Sequence, residues 1–309
     1  MQLPSPSSER PPKYASSMSR NQPGGEVRVH IHAASVNGFD LAVASGYLKD
    51  MMEHHFPVVL GKDFAGTVDA VGSGVTGYTL GDRVFGVDTK TRLGEGTFAE
   101  FVSVPVSMGL SKLPESVTFT EGAALGLAGS AALAVIDAWG PQTGQTVLVA
   151  GATGGVGTQV AELAARAGAH VIATAHTDEE RAYVTDLGAT EVVDYTGDVA
   201  ASVLEAHPQG VDVVIHLAGD PTSLLRAVRK GGKLISTLLQ SPDQLPTESA
   251  TVLPVSAVPT TPTLERLAEN QAVGHTRVKI QRIYGLDDAA GALADFAGGT
   301  LGKLVITTS

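Results

Sequence analysis

The stretch that decides the fold is QTVLVAGATGGVGTQVAELAARAGAHVIATAH, residues 145–176. An apolar run ends in a glycine-rich turn, and a segment with helical periodicity leads to a second apolar run. This order predicts a buried strand, a tight bend, an amphipathic helix and a second, parallel strand. Gly151, Gly154 and Gly157 have the spacing G-x-x-G-x-x-G, which lets a pyrophosphate approach the free N–H groups that begin the helix.

The residues of this bend are the first candidates for a cofactor site. Thr153, Gly154, Gly155 and Val156 would lie at the carboxyl edge of the sheet, where the first helical turn carries unpaired N–H groups and a partial positive charge. Ordinary glycine-rich turns have the same composition. Here the strand, the bend, the helix and the second strand follow one another in the expected register, which favours dinucleotide binding.

The end of the second strand indicates which dinucleotide would bind. NAD-specific sites place an acidic residue about 20 residues after the glycines, on the ribose 2′-hydroxyl. Thr174 stands near that position, with His176, Arg181 and Tyr195 close by in sequence. These residues tolerate a 2′-phosphate, so we expect NADPH. The acidic run at 178–180 argues for NADH, unless it only forms the first turn of the next helix.

Two patterns divide the rest of the chain. Residues 1–24 are rich in Ser and Pro and predict an extended arm. Short β-rich runs alternate with turns from 25 to 116, and the runs within 266–309 resemble them, which predicts one β-rich domain. From 117 to 265, apolar strands alternate with helices, as in a doubly wound parallel sheet. The fold class is therefore α/β, with a β-rich domain and a Rossmann-type cofactor domain.

Composition limits the functions that the chain can have. Its 309 residues include 32 acidic and 21 basic ones, and the formal net charge of −11 disfavours nucleic-acid binding. No uninterrupted apolar run reaches the about 18 residues of a membrane span, and no signal-peptide pattern occurs, so we expect a soluble cytoplasmic protein without membrane contact. Since the chain has no cysteine, disulfides, thiolate nucleophiles and cysteine-ligated zinc are excluded.

Five segments of the chain match the motifs of a known family. They are GEVRVHIHAASVNGFD (25–40), FPVVLGKDFAGTVDAVGSGVTGYTLGDRVFG (56–86), AGATGGVG (150–157), DLGATEVVDY (186–195) and GKLVITT (302–308). Together they resemble the medium-chain dehydrogenase/reductase superfamily, and within it the zinc-free quinone oxidoreductase branch. The resemblance covers residues 25–309. It implies a GroES-like catalytic domain formed from both chain ends, a nucleotide-binding domain between them, an active site in the cleft and a homodimer.

The resemblance also implies the chemistry of the site. Zinc-dependent relatives carry a cysteine near the position of Asn37 and a His-Glu pair after the glycine of the second segment, whereas this chain has Gly61-Lys62-Asp63 there. We therefore expect no metal and no alcohol oxidation, because an alcohol does not readily become an alkoxide without a Lewis acid. The implied reaction is hydride transfer from NADPH to a quinone or an α,β-unsaturated carbonyl. Asn37 would lie beside the nicotinamide and polarise the acceptor oxygen.

Further side chains near Asn37 are open to two interpretations. Tyr47 could donate a proton or stack on a flat acceptor, or it could be an exposed loop residue. Asp40 could orient Asn37 or cap the following helix. His54 and His55 could act as an acid or as metal ligands, although a surface loop explains them more simply.

Residues at the ends of two later strands are predicted to form a wall of the cofactor site. Leu217 and Ala218 follow one strand, Thr237 and Leu238 follow the next, and all four would act by shape. His216, at the end of the apolar run, is either a hydrogen-bonded core histidine or a catalytic residue.

Three functions remain open at this point. The leading hypothesis is a zinc-independent, NADPH-dependent reductase of quinones or enones. The second is a family member that catalyses a cyclisation or an addition with little redox turnover. It is motivated by the unfamiliar N-terminus, by the lack of an obvious proton donor, and by Ala131, where relatives often have a Thr that could meet a cofactor phosphate. The third is an NADPH-binding regulatory module.

Overall fold

The computed structural model describes residues 22–308, so most of the arm expected at 1–24 lies outside the described residues. The described chain forms two β-sheets and eight α-helices. In chain order they are β1 (Glu26–Ser35), α1 (Gly38–Ala44), β2 (Asp63–Val71), β3 (Arg83–Val87), β4 (Phe101–Pro105), β5 (Leu110–Lys112), α2 (Phe119–Trp139), β6 (Thr146–Ala150), α3 (Gly155–Arg166), β7 (His170–Thr174), α4 (Asp178–Asp186), β8 (Glu191–Val193), α5 (Val199–Ala206), β9 (Val211–His216), α6 (Pro221–Leu225), β10 (Val228–Ser236), β11 (Thr251–Pro254), α7 (Thr261–Ala272), β12 (Ile280–Gly285), α8 (Ala289–Ala297) and β13 (Lys303–Thr307).

The first sheet is built from both ends of the described chain. Its strand order is β12-β13-β1-β2-β3-β5, and β4 also pairs with β1. All its pairs are antiparallel except β12 with β13. Strand β13 lies between β12 and β1, so the later part of the described chain pairs with the first sheet. Alternating side chains such as Val27, Val29 and Ile31 are fully buried in its core.

The second sheet is entirely parallel and has the order β11-β10-β9-β6-β7-β8. This confirms the doubly wound fold expected from alternating apolar runs and helices. The chain proceeds outward from β6 in one direction and returns to β9 on its other side. In open sheets of this kind, ligands bind outside the carboxyl ends of the strands at the point where the order reverses. The glycine bend directly follows β6 and therefore lies at this point.

Helix α2 connects the two sheets. It packs on β1, β2 and β3 of the first sheet and on α3 and β10 of the second part. A capping box begins it, because Thr118 accepts the N–H of Glu121 and the Glu121 carboxylate accepts the N–H of Thr118. By length and composition, α2 is the one helix within residues 22–308 that could cross a membrane. Its burial against both sheets is that of a core helix.

The domain limits remain predictions, although one of them falls inside a helix. Helix α7 runs across the limit expected at 265–266. Its Leu264 and Leu267 belong to an apolar cluster of the β-rich part. The cluster also contains Phe85, Leu113 and Val305. A limit at this position would divide a continuous helix whose apolar side chains pack together with the β-rich part.

Candidate active site

The glycine bend turns sharply at the carboxyl end of β6. Gly151 has a φ of 90°, a left-handed conformation that favours glycine. Gly157 is needed for close packing, because a Cβ atom there would overlap the carbonyl oxygen of Gly151. A Cβ on Gly154 would instead have the Gly151 oxygen, at 3.7 Å, as its nearest neighbour. The first turn of α3 is therefore open at Gly154, where a pyrophosphate could contact its N–H groups.

An open cleft of about 1080 Å³ extends from this bend. Its wall includes Gln281 and residues 297–301, which belong to the returning segment of the chain. Six residues that the sequence predicted to contact the cofactor line it. They are Thr153, Gly154, Thr174, Tyr195, Leu217 and Ala218. The other predicted residues are not part of its lining, and these are Asn37, Gly155, Val156, His176, Arg181, Thr237 and Leu238.

Thr174 has a structural role that its position in the sequence did not indicate. Its side chain is buried, and its Oγ1 accepts the N–H of Gly151 at 2.9 Å. The same hydroxyl lies 3.4 Å from the carbonyl oxygen of Val149, to which it donates. Thr174 therefore fixes the glycine bend to β6 and β7. Its role at the cofactor ribose remains a prediction.

Acidic partners surround the other residues expected at the ribose end. The Nδ1 of His176 lies 3.0 Å from a carboxylate oxygen of Asp194, and Nη2 of Arg181 lies 3.4 Å from the same oxygen. The hydroxyl of Tyr195 donates to Oε1 of Glu180 at 3.2 Å. Both side chains are therefore already paired with Asp194, yet both keep a third or more of their surface exposed.

Glu180 places a carboxylate at the end of β7, although the sequence showed no acidic residue about 20 positions after the glycines. It belongs to the first turn of α4, but its Oε2 accepts the N–H of His176 at 2.7 Å and that of Thr177 at 3.0 Å. These bonds bring the carboxylate back to the end of β7. The Thr-x-x-Glu pattern at 177–180 is a capping box and could have indicated this position.

Asn37 lies in a buried polar network. Its Oδ1 accepts from the Nζ of Lys303 at 2.6 Å, and its Nδ2 donates to Asp63 Oδ2 at 2.8 Å and to the carbonyl oxygen of Ser35 at 3.3 Å. The side chain is only 7% exposed. Both polar atoms of the amide are thus occupied by protein partners. To polarise an acceptor oxygen, as expected, Nδ2 would have to exchange one of these bonds.

Lys303 is the charged centre of this network and was not predicted. Its Nζ also donates to the carbonyl oxygen of Val36 at 2.9 Å and lies 3.6 Å from Asp63 Oδ2. The pKa of Lys303 lies below its ordinary value because the side chain is buried, and the charge of Asp63 partly opposes this shift. The aliphatic stem passes the glycine bend, since a Cβ on Gly155 would lie 2.5 Å from Lys303 Cδ. One side chain therefore contacts both the bend and Asn37.

A backbone contact beside Lys303 adds a second link to the bend. The N–H of Gly302 donates to the carbonyl oxygen of Thr153 at 2.7 Å. Gly302 has a φ of 95°, and a Cβ there would overlap the carbonyl oxygen of Lys279. The returning segment is thus fixed to the glycine bend by a backbone hydrogen bond as well as by the Lys303 side chain.

Two buried carboxylates hold the backbone around Asn37. Asp63 accepts the Oγ–H of Ser35 and the N–H of Leu127, each at 2.7 Å. Asp40 accepts the N–H of Asn37 at 2.8 Å and that of Gly61 at 3.1 Å, so it caps α1 as one interpretation expected. Burial raises the pKa of Asp40 to about 7.

The residues at the zinc-ligand positions of zinc-dependent relatives do not fit a zinc ion. The structure has Asn37 and Lys62-Asp63 at these positions, and the ammonium group of Lys303 lies between Asn37 and Asp63. Zinc takes thiolate, imidazole or carboxylate ligands, and a neighbouring ammonium repels a divalent cation. Asp63 is the one fitting ligand, and it is already bonded on both oxygens.

Three further candidates lie on the surface. Tyr47 is 73% exposed in the turn after α1, and it is not part of the cleft lining. The Nδ1 of His54 contacts the carbonyl oxygen of Met52, and exposed His55 pairs with Glu53. Both histidines thus lie in a loop near the surface, which agrees with the simpler of the two interpretations. A catalytic role for Tyr47 remains a prediction.

The candidates at later strand ends separate into core and surface residues. His216 is buried, with its ring nitrogens 2.8 Å from Ser236 Oγ and 3.1 Å from the carbonyl oxygen of Gly219, so it is a hydrogen-bonded core histidine. Burial lowers its pKa. Leu238 is 53% exposed, and Ala131 is buried in α2.

Comparisons with known proteins agree with this geometry. The family models described as alcohol dehydrogenase GroES-like domain and zinc-binding dehydrogenase match residues 23–115 and 155–255. The quinone oxidoreductase of Sus scrofa is 31% identical over 301 residues, which cover 91% of this chain and 88% of that protein. The structure of the quinone oxidoreductase from Coxiella burnetii superposes with a TM-score of 0.83 at 25% identity, covering 94% and 92% of the two chains. A structure described as an NAD-dependent alcohol dehydrogenase also gives 0.83, at 27% identity and 95% coverage of each chain.

The two sheets, the glycine bend and these matches define a class of enzyme. The chain belongs to the medium-chain dehydrogenase/reductase superfamily. Within it, the chain lies in the quinone oxidoreductase-like branch and is an NAD(P)-dependent, quinone oxidoreductase-like enzyme that acts on a small molecule.

Proposed function

We propose that this enzyme transfers hydride from NADPH to a quinone or an α,β-unsaturated carbonyl without a catalytic zinc. The observation that carries this proposal is the Lys303–Asn37–Asp63 network, which occupies the zinc-ligand positions of zinc-dependent relatives and contacts the glycine bend. Such a site offers no Lewis acid for making an alkoxide. Quinones and enones are already electrophilic, so alignment with the hydride source is the main requirement.

The chain's own residues would bind and orient the reactants. The first turn of α3 would hold the pyrophosphate, and Leu217 and Ala218 would form a wall of the cleft. When bound, the cofactor supplies the hydride. Lys303 keeps a proton at Nζ directed at Asn37 Oδ1, while Asp63 holds Nδ2, so the plane of the amide is fixed from both sides.

The surroundings of Arg181 support the choice of NADPH. Arg181 and His176 share Asp194, and a 2′-phosphate could replace this carboxylate and gain two charge-assisted hydrogen bonds. The oxygens of Glu180 already accept two backbone N–H groups and the Tyr195 hydroxyl, so they are less available for ribose hydroxyls than a free strand-end acid. The carboxylates that line the cleft oppose a 2′-phosphate, and the preference therefore depends on Arg181.

Titrating the protein with NADPH and NADH tests the cofactor preference. We expect NADPH to bind at least about tenfold more tightly, which corresponds to about 1.4 kcal/mol. Arg181→Ala should remove this difference and leave the affinity for NADH unchanged. Arg266→Ala, which deletes a similar exposed pair with Asp137, is the matched control and should keep the preference. Equal affinities of the unmodified protein for the two cofactors would contradict the proposal.

Turnover tests the reaction itself. Purified protein should oxidise NADPH when given a simple ortho-quinone or a 2-alkenal, and silence with both acceptor classes would overturn the proposed function. Product formation without nicotinamide oxidation would instead support the addition or cyclisation hypothesis. Prior treatment with a chelator should leave the rate unchanged, whereas a loss of rate without any loss of folded structure, reversed by zinc, would contradict a mechanism without catalytic zinc.

The homodimer implied by the family resemblance remains a prediction. Sedimentation equilibrium would check it directly, because the chain mass is 31.7 kDa and a dimer has twice this value. A single species at the chain mass would contradict it.

A further inference from the structure

A cluster of metal-binding side chains lies at the edge of the parallel sheet opposite the glycine bend. His170 is the first residue of β7, Glu191 is the first residue of β8, and His207 directly follows α5. Since the strands are parallel, their first residues share one edge, and the bend after β6 lies at the other. Each of the three side chains offers one ligand atom, and these atoms all lie within 4.8 Å of one another.

Both imidazoles direct the same ring nitrogen at the same carboxylate. The Nε2 of His207 lies 3.0 and 3.2 Å from the two oxygens of Glu191, and the Nε2 of His170 also contacts Oε1 of Glu191. The two rings meet nearly edge to face, with their centroids 5.8 Å apart. Tetrahedral zinc, with bonds of about 2.0–2.2 Å, keeps its ligand atoms roughly 3.4 Å apart. Small side-chain rotations would therefore bring the three atoms to one ion.

The alternative is a simple cluster of hydrogen bonds between histidines and a carboxylate. Three features favour a cation. The donor set of two imidazoles and one carboxylate is one that zinc accepts. The side chains of His170, Glu191 and His207 are 38%, 33% and 23% exposed, so a fourth position is accessible to water. Within residues 22–308, the ion pairs of Glu191 are those with these two rings, and no lysine or arginine competes for its charge.

We propose that His170, Glu191 and His207 form a binding site for one divalent transition-metal ion, for which zinc is the probe. The ligands would be the two Nε2 atoms, a Glu191 oxygen and a water molecule. The site is separate from hydride transfer, because it lies at the opposite edge of the sheet from the glycine bend. A bound ion would join β8, the short edge strand, to β7 and to the end of α5, so its role is structural.

Titration of tag-free, full-length protein with zinc against a competing chromogenic chelator tests this site. We expect one ion per chain, and His170→Ala and His207→Ala should each weaken binding at least about tenfold. His207→Gln removes the imidazole ligand but keeps an N–H donor that can still bind Glu191. This variant therefore separates loss of the metal ligand from loss of the hydrogen bond. His275→Ala removes an exposed histidine outside the cluster and should bind zinc like the unmodified protein.

Thermal melting gives a second readout. A hundredfold excess of zinc over its Kd should raise the melting temperature by roughly 5 °C in the unmodified protein and in His275→Ala. The shift should be absent in His207→Gln. The proposal is overturned if binding is not saturable, or if a variant with both His170→Ala and His207→Ala binds zinc with unchanged stoichiometry and affinity.

Discussion

Among single residues, Lys303 has the largest influence on the geometry of the site. Its ammonium group is buried with the carboxylate of Asp63 and holds the amide of Asn37. Removing water from two charges is costly, and their attraction offsets this cost only while both are present. Loss of the lysine would leave Asp63 buried without its counter-charge and Asn37 without the partner of its Oδ1. Both stability and the placement of the amide depend on this one side chain.

Replacing this lysine should therefore affect folding and turnover together. Lys303→Met should lower the free energy of unfolding by about 3 kcal/mol, measured in urea, and should reduce kcat more than it changes KM for NADPH. Lys233→Met is the control, because Lys233 Nζ donates to the carbonyl oxygen of Trp139 without a buried carboxylate beside it. An equal loss of stability in both variants would show that the charge pair is unimportant.

The glycines of the bend should differ in what they contribute. Gly157→Ala places a Cβ against the carbonyl oxygen of Gly151, so we expect a loss of about 2 kcal/mol in stability together with weaker NADPH binding. Gly154→Ala has room for its Cβ and a φ of −78°, so the fold should be retained. Its methyl group would nevertheless occupy the space of the pyrophosphate. Melting and NADPH titration check both, and tight NADPH binding by Gly154→Ala would place the phosphates elsewhere.

Among the elements, the N-terminus of α1 carries a buried carboxyl group, that of Asp40, whose protonation changes the stability of the fold. Asp40 accepts two backbone N–H groups, but burial raises its pKa to about 7. Between its ordinary value of about 4 and about 7, the folded state binds more protons at this group than the unfolded state. The contribution of Asp40 to the free energy of unfolding therefore falls as the pH rises through this range.

Asp40→Asn should remove this dependence on pH. In the unmodified protein, Asp40 contributes a slope of up to about −1.4 kcal/mol per pH unit to the free energy of unfolding between about pH 4 and 7. Urea unfolding across this range should show a correspondingly flatter profile for Asp40→Asn, and for the exposed-site control Asp287→Asn the profile should match the unmodified protein. Parallel profiles for all three proteins would contradict the raised pKa.

Helices and strands could be predicted from the sequence where neighbouring residues alone determine the local structure. The buried run of β6, the glycine turn and the periodicity of α3 are local signals, and the structure confirms them. The site depends on contacts between distant residues, which local patterns do not report. Lys303 and Asn37 are 266 positions apart, and Asp63 and Leu127 are 64 apart. A lysine inside the apolar run GKLVITT was the available signal for a buried charge.

On the scale of the whole molecule, the cleft has walls from both parts of the chain. The glycine bend forms one side, and Gln281 and residues 297–301 form another. A cofactor bound there would contact both parts of the chain, and these contacts exist only in the folded protein. Ligands that bind only the folded state stabilise it according to their affinity.

Melting with each cofactor should therefore rank their affinities. NADPH at a hundredfold excess over its Kd should raise the free energy of unfolding by about 2.7 kcal/mol and the melting temperature by roughly 5 °C. NADH at the same concentration, with a tenfold weaker affinity, should add about 1.4 kcal/mol. Equal shifts of the melting temperature with the two cofactors would contradict the preference for NADPH. This measurement does not depend on turnover.

The position of β13 also has a consequence for synthesis of the protein. This strand is the last of the described elements, yet it lies inside the first sheet, between β12 and β1, and it carries Lys303. When the chain has emerged only as far as α8, Asn37 and the glycine bend are already outside the ribosome, but β13 is absent from the first sheet and no ammonium group lies beside Asp63. Activity should therefore begin only after residue 307 has left the exit tunnel, because the placement of Asn37 depends on Lys303.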